Sequence, residues 1–206
     1  MSQPHSIRIV LGSGSSYRQQ LLREMGYEFE VVNPRIDEKS IRLDEPAELA
    51  LALAHAKADA VIAELESPAL VITADQVVAH DGQIREKPGS VDEARQFMRT
   101  AGESASETVS AIVVTDSVTG RRVAGIDVVR IYLRPLPDEI IEDRIADGEI
   151  FYCAGALRIE DPVIEPYIEC IDGDLDSVMG LPKLLTARLI AELLAAIPSF
   201  DQQTRL

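Results

Sequence analysis

"LGSGSSYRQQLL", residues 11–22, marks the point where an apolar run, Ile7 to Leu11, gives way to five small residues, then Tyr17 and Arg18. Helix-like spacing resumes at Leu21, Leu22 and Met25. A strand that feeds a helix through a small, hydroxyl-rich turn leaves unpaired backbone N–H groups at the helix start, where an anion can be received. Arg18, about one turn into that helix, is placed to close over it. The same glycines also suit a bare tight turn, so the loop alone leaves both readings open. It matches neither familiar phosphate loop. Tyr17 stands where a dinucleotide fingerprint has a third Gly or Ala, and no GxxxxGK[ST] occurs in the chain.

Outward from this turn, the pattern predicts a strand at 7–11, a helix at 16–25, a strand at 28–33 and the turn-rich "NPRIDEKS". A long helix over 45–66 has Pro46 near its start and sets Leu49, Leu53, Ala56, Ala60 and Ala63 on one face. "LVITADQVVAHDGQI" reads as an apolar strand interrupted at Thr73–Gln76, with Asp81-Gly82 as a turn. "SVDEARQFMRTAG" is a helix with Ser90 as N-cap, Glu93 completing a capping box and Gly102 at its end. Strands at 108–115 and 122–133 form a hairpin through "DSVTG". Helices follow at "LPDEIIEDRIADGE" and, after an irregular stretch around "CAGALRIEDP", at "LPKLLTARLIAELLAAI". Alternating and hairpin-connected strands together imply an α/β fold with a mixed sheet.

With 206 residues and 46% hydrophobic content, the chain fits one domain or two closely packed lobes. No apolar stretch reaches the roughly 18 residues of a membrane span, and "MSQPHSIRIV" lacks the order of a signal peptide. Cys153 and Cys170 are too few for a disulfide scaffold, so reduced thiols in a cytoplasm are expected. A net charge of −15 argues against duplex nucleic acid, which needs a basic face, but leaves room for a small phosphorylated ligand. Only four of the 20 basic residues are lysines, at 39, 57, 87 and 183. A local cluster of cations in so acidic a chain is a natural seat for a metal-bound polyphosphate.

Asp75 is the sharpest signal. A carboxylate inside an apolar strand must reach water, a cation or a donor, because burying an isolated charge is costly. Asp37 and Glu38, in a polar loop, can join Asp75 as oxygen ligands for magnesium, which takes one or two protein carboxylates and otherwise waters and phosphates. Lys87 precedes Pro88 and is biased to an extended form at a loop edge. Lys57 sits mid-helix among alanines, and by itself reads as an exposed helix lysine. His5, His55 and His80 have no mutual metal spacing, and there is no GxSxG elbow.

In order, "LGSGSSYRQQLL", "DE" at 37–38, "AHAKA" around Lys57, "ITADQVV", "EKPGSVDEA" and "GDLDSVMGLP" resemble the Maf family of nucleoside triphosphate pyrophosphatases. The likeness spans nearly the whole chain and implies a single domain over 1–206 with a core of about 7–197. "SSYRQ", "ADQVV" and "CAGALRIE" look like the branch that hydrolyses 7-methyl-GTP, whose members carry SPYRQ and CAGSFKSE-like segments. The resemblance implies a two-lobed, ITPase-like fold around a long mixed sheet, with the active site in the cleft between lobes. It implies a divalent cation, Mg2+ or Mn2+, cleavage between the α and β phosphates, and a homodimer. Asp75 matches the catalytic carboxylate, as general base or metal ligand, and Glu38 a second acidic site residue. Ser13, Arg18, Lys57 and Lys87 match positions expected to hold the triphosphate. Ser16 replaces a common Pro, Glu86 a usual Gly, and Arg158 a Lys of the branch motif, exchanging a point donor for a planar fork. N7-methylated guanine is cationic, so Glu160 and Tyr17 are the candidates for recognising it. Two alternatives remain: a dTTP/UTP pyrophosphatase of the other branch, and a nucleotide-binding regulator of cell division with little turnover.

Overall fold

The computed structural model describes residues 7–196, so His5 and the expected last helical residue, Ile197, lie outside the described residues. Seven strands form one mixed sheet: β1 (Ile9–Gly12), β2 (Glu30–Val31), β3 (Leu70–His80), β4 (Gln83–Ile84), β5 (Ser106–Asp116), β6 (Arg122–Leu133) and β7 (Ile168–Asp172). The order is β2-β1-β3-β5-β6-β7, with β4 on β3. β1 runs parallel to β2 and β3, and the other pairings are antiparallel. The longer helices are α1 (Ser16–Glu24), α2 (Pro46–Glu64), α3 (Val91–Thr100), α4 (Asp138–Asp147) and α6 (Lys183–Ala196), with a one-turn α5 (Leu175–Val178) before the last.

Strand alternation decides what each face receives. Along β3, Leu70, Ile72 and Ala74 point to α6, where they pack with Leu11, Leu22, Ile112, Leu181, Leu189 and Leu193. Val71 and Val77 point the other way, to α2. A second core lies at the far end of the long strands, where α3 and α4 cover Val129, Ile131 and Leu133 with Met98, Ile141 and Ile164. Two packed regions thus meet along β6, the first resting on β3 and β5 as well. Gly12 is required by the close approach at the first turn: a Cβ there would meet Thr73 Cγ2 at 2.6 Å and Val61 Cγ2 at 2.8 Å. Gly12→Ala is expected to cost about 1–3 kcal/mol in chemical denaturation, as overpacking does, and an unchanged midpoint would contradict it.

Three expectations need correction. β3 is unbroken, pairing with β5 from Leu70 to His80. Its polar residues do not end it because each finds a partner, Thr73 Oγ1 donating to the Ala54 carbonyl at 2.8 Å among them. The buried face of α2 is Leu49, Ala50, Leu53, Ala54, Lys57, Ala58 and Val61, while Ala63 is exposed. Ala50, Ala54 and Ala58 let the helix lie close to the sheet, and the charge on Lys57 hid that stripe from a hydrophobic count. At α3, Ser90 Oγ accepts from the Glu93 amide at 3.2 Å, but the Glu93 carboxylate returns to the Gly89 amide at 2.7 Å, one residue earlier than in a capping box.

Candidate active site

Asp75 lies mid-strand on the face covered by α2, and Lys57 points down at it from the helix. Lys57 Nζ donates to Asp75 Oδ1 at 2.5 Å and to Glu38 Oε1 at 2.7 Å. Lys57 is 8% exposed and Asp75 7%, whereas Glu38, on a short 3-10 turn at Glu38–Ser40, faces solvent. Burial pushes the Asp75 carboxyl above its ordinary range, outweighing the downward pull of Lys57 and Arg18, while Glu38 adds to the rise. A carboxylate so placed holds a proton more readily than a solvated one.

Arg18 approaches the same strand from α1. Its Nε donates to the Gly180 carbonyl at 2.9 Å and its Nη1 to the Ala74 carbonyl at 2.9 Å, with Ser13 Oγ at 3.4 Å. Nη2 has no protein partner among the described residues, so one edge of the guanidinium is available to a ligand. Burial lowers the affinity of Arg18 for its proton, opposed by Asp75 and Glu38, and an arginine stays charged regardless. Ser15 caps α1 by accepting from the Arg18 amide at 3.4 Å, and Ser13, 5% exposed, accepts from the Ser15 amide at 3.3 Å.

Of the residues singled out in the sequence, Ser13, Arg18, Glu38, Lys57 and Asp75 therefore form one group. The reading of Lys57 as an exposed helix lysine is overturned. Lys87, Arg158 and Glu160 form a second, exposed group around half-buried Cys153. Burial raises the Cys153 thiol, Arg158 and Lys87 work against that, and Glu160 and Glu149 add to it. Arg158 pairs with Glu149, and none of these three makes a polar contact with the Asp75 group among the described residues. The loop that carries them is tied to the strand side by the Gly155 amide, which donates to the Glu86 carbonyl at 3.0 Å. A groove of about 540 Å³ opens nearby between Leu43, Leu49, Ile84 and Phe97, rimmed by Arg42 and Glu86.

No group of three or more His, Cys, Asp or Glu suited to hold a metal exists among the described residues. Glu38 and Asp75 nevertheless converge on one ammonium, which makes them two hard oxygen donors around a single cationic point. That is too few for a cage and enough for an ion that arrives with phosphates. No helix among the described residues is long and apolar enough to cross a membrane.

Sequence reasoning missed Gln76, Ser110 and Asp127. Gln76 Nε2 donates to the carbonyls of Ser177 at 2.9 Å and Val178 at 3.0 Å and to Ser110 Oγ at 3.1 Å. Only strand register could have pointed to the three as a group, since they come together by pairing across β3, β5 and β6.

Two cations, Arg18 and Lys57, and two carboxylates, Glu38 and Asp75, thus meet beside one strand of an α/β protein. The chain belongs to the Maf-like family, whose model matches residues 8–193. It is 34% identical to a 7-methyl-GTP pyrophosphatase of Dictyostelium discoideum, over 89% of this chain and 96% of that one. It is equally 34% identical to a dTTP/UTP pyrophosphatase of Alkaliphilus metalliredigens, over 85% of this chain and 90% of that one. The fold is that of a HAM1 protein from Coxiella burnetii, matched over 93% of this chain and all of the other with a TM-score of 0.50 at 12% identity.

Proposed function

We propose that this chain is a nucleoside triphosphate pyrophosphatase that uses a divalent cation and prefers 7-methyl-GTP. The observation that carries the reading is the buried Lys57–Asp75 pair with Arg18 and Glu38 at its edge. In the proposed reaction Asp75 orients a water and takes its proton as the water oxygen attacks the α-phosphorus. The bond to the β-phosphate oxygen breaks and pyrophosphate leaves, so no covalent enzyme intermediate is needed. Arg18, the N–H groups at the start of α1 and Lys57 hold the phosphates and balance the charge that builds on the leaving group. Glu38 and Asp75 would hold Mg2+ or Mn2+ together with substrate oxygens, and the ion supplies Lewis-acid charge neutralisation.

The test is pyrophosphate release from a panel of triphosphates with magnesium or manganese, with Asp75→Asn as control. Release chiefly from dTTP and UTP would move the chain to the other branch, and binding without release would make it a nucleotide sensor. The preference for 7-methyl-GTP is supported by the branch-like "CAGALRIE" and by exposed Glu160, an anion available to a cationic base. Glu160→Gln is expected to reduce the ratio of kcat/KM for 7-methyl-GTP over GTP by about tenfold, within the range of one charge-assisted contact. An unchanged ratio rejects that role.

A further inference from the structure

The segment 173–182, "GDLDSVMGLP", carries no group for the reaction yet ends against Arg18. Its attachment is a polar row across the three long strands. Gln76 on β3 is in register with Ser110 on β5, and Ser110 with Asp127 on β6. All three reach the same residue of α5. Asp127 Oδ2 accepts from Ser177 Oγ at 2.5 Å. The Ser177 carbonyl accepts from Gln76 Nε2 at 2.9 Å and Ser110 Oγ at 3.2 Å, and also from the Gly180 amide at 2.9 Å. Ser110 and Ser177 are fully buried. From that hub the chain turns through Gly180, at φ +96°, where a Cβ would press Arg18 Nε at 3.2 Å. The Gly180 carbonyl then holds Arg18 Nε at 2.9 Å.

We infer that the Ser110–Asp127–Ser177 network is a positioning device for Arg18, fixing through the Gly180 carbonyl the guanidinium edge offered to the ligand. Asp127 and Ser177 make no hydrogen bond to the Arg18 side chain themselves and act through the Gly180 turn. Ser110 and Ser177 are buried and Asp127 and Gln76 half-buried, and with Gln76 the row ties three strands to one turn, which favours a single arrangement of that turn. An arginine held by two carbonyls, Ala74 and Gly180, has lost its rotamer freedom before a phosphate arrives, so the ligand need not order it. The catalytic meaning of the device rests on the function proposed above, whereas the anchoring of Arg18 does not.

The experiment therefore has two arms. In the first, exchange of the Arg18 Nε–H with solvent is followed by 15N NMR in the full chain, its signal assigned by its loss in Arg18→Lys. Protection is expected in the native protein and in Asp127→Asn, whose amide oxygen still accepts, with exchange at least about tenfold faster in Asp127→Ala and Ser177→Ala. Equal protection in all four overturns the proposal. In the second, kcat/KM is measured in a cycle with Arg18→Ala. Asp127→Ala is expected to cost about tenfold in the native background and less than about twofold where Arg18 is already gone. Equal losses in both backgrounds mean that the row serves only the fold, and that also overturns the proposal. Should Asp127→Ala fail to fold, Ser177→Ala and Asp127→Asn decide both arms. A native chain that turns over no triphosphate refutes the proposed function and leaves the first arm to decide the anchoring.

Discussion

Asp75→Asn is expected to lower kcat about a thousandfold while leaving the melting temperature unchanged or raised. The two outcomes have one origin. The carboxyl is buried, and burial has pushed its proton affinity up despite Lys57 and Arg18. Between the ordinary carboxylate value of about 3.9 and this raised one, the folded state binds more protons than the unfolded state. Stability contributed by this group therefore falls as pH rises through that interval, and at neutral pH the ionised Asp75 is a cost to folding. An amide of the same size removes the cost and can still accept from Lys57, but it cannot take a proton from water. Titration of the base is expected to give the native kcat/KM profile an acid limb, and the residual rate of Asp75→Asn should lack that limb. Retention of more than about a tenth of the rate in Asp75→Asn would exclude Asp75 as the base.

Lys57→Met should unfold most easily where the native protein is functional. The substitution keeps the length of the stem and removes the ammonium that both Asp75 and Glu38 contact. Breaking a buried pair from one side costs roughly 3 kcal/mol, because the remaining charge is left without compensation. Here the remaining group can escape by taking up a proton, so the loss depends on pH. With its cationic partner gone, the Asp75 carboxyl rises further, the folded state binds the extra proton over a wider interval, and the stability lost on going to high pH is larger. Urea midpoints are expected to differ strongly from the native protein at pH 8 and much less at pH 5. Equal differences at both values would show that Lys57 contributes packing and not charge. Activity should be lost at both, because the phosphates lose a cation as well.

Asp75 was legible because it interrupts an apolar strand, and Ser13 and Arg18 because they sit at a strand-to-helix junction. Lys57 and Glu38 instead gained their place in the site from motif position, since a helix lysine and a loop acid are ordinary in their surroundings. What local pattern misread was the consequence of satisfying them. Thr73, Asp75 and Gln76 looked like an interruption of the strand, yet the ladder runs through them because Ala54, Lys57 and the Ser177–Val178 carbonyls meet each one. The face of α2 was misjudged for the same reason, since a buried Lys57 breaks a hydrophobic count. Elements with little apolar content fared worst. β7, "IECID", has no residue fully removed from solvent, and pairing with β6, not its own composition, makes it a strand. Lys87, Arg158 and Glu160 were legible only as motif positions, and the structure gathers them around Cys153 at the surface.

The carbonyl that secures Arg18 comes from Gly180, 162 positions further along the chain, and the helix that roofs Leu11 and Ile72 begins only at Lys183. During synthesis the first βα unit, the long helix and the three central strands all leave the ribosome before either of these does. The nascent protein can collapse around its sheet but cannot hold Arg18 through Gly180 or cover Leu11 and Ile72 until residues 180–196 have been made, so the seat of Arg18 is completed late and in one step rather than growing with the polypeptide.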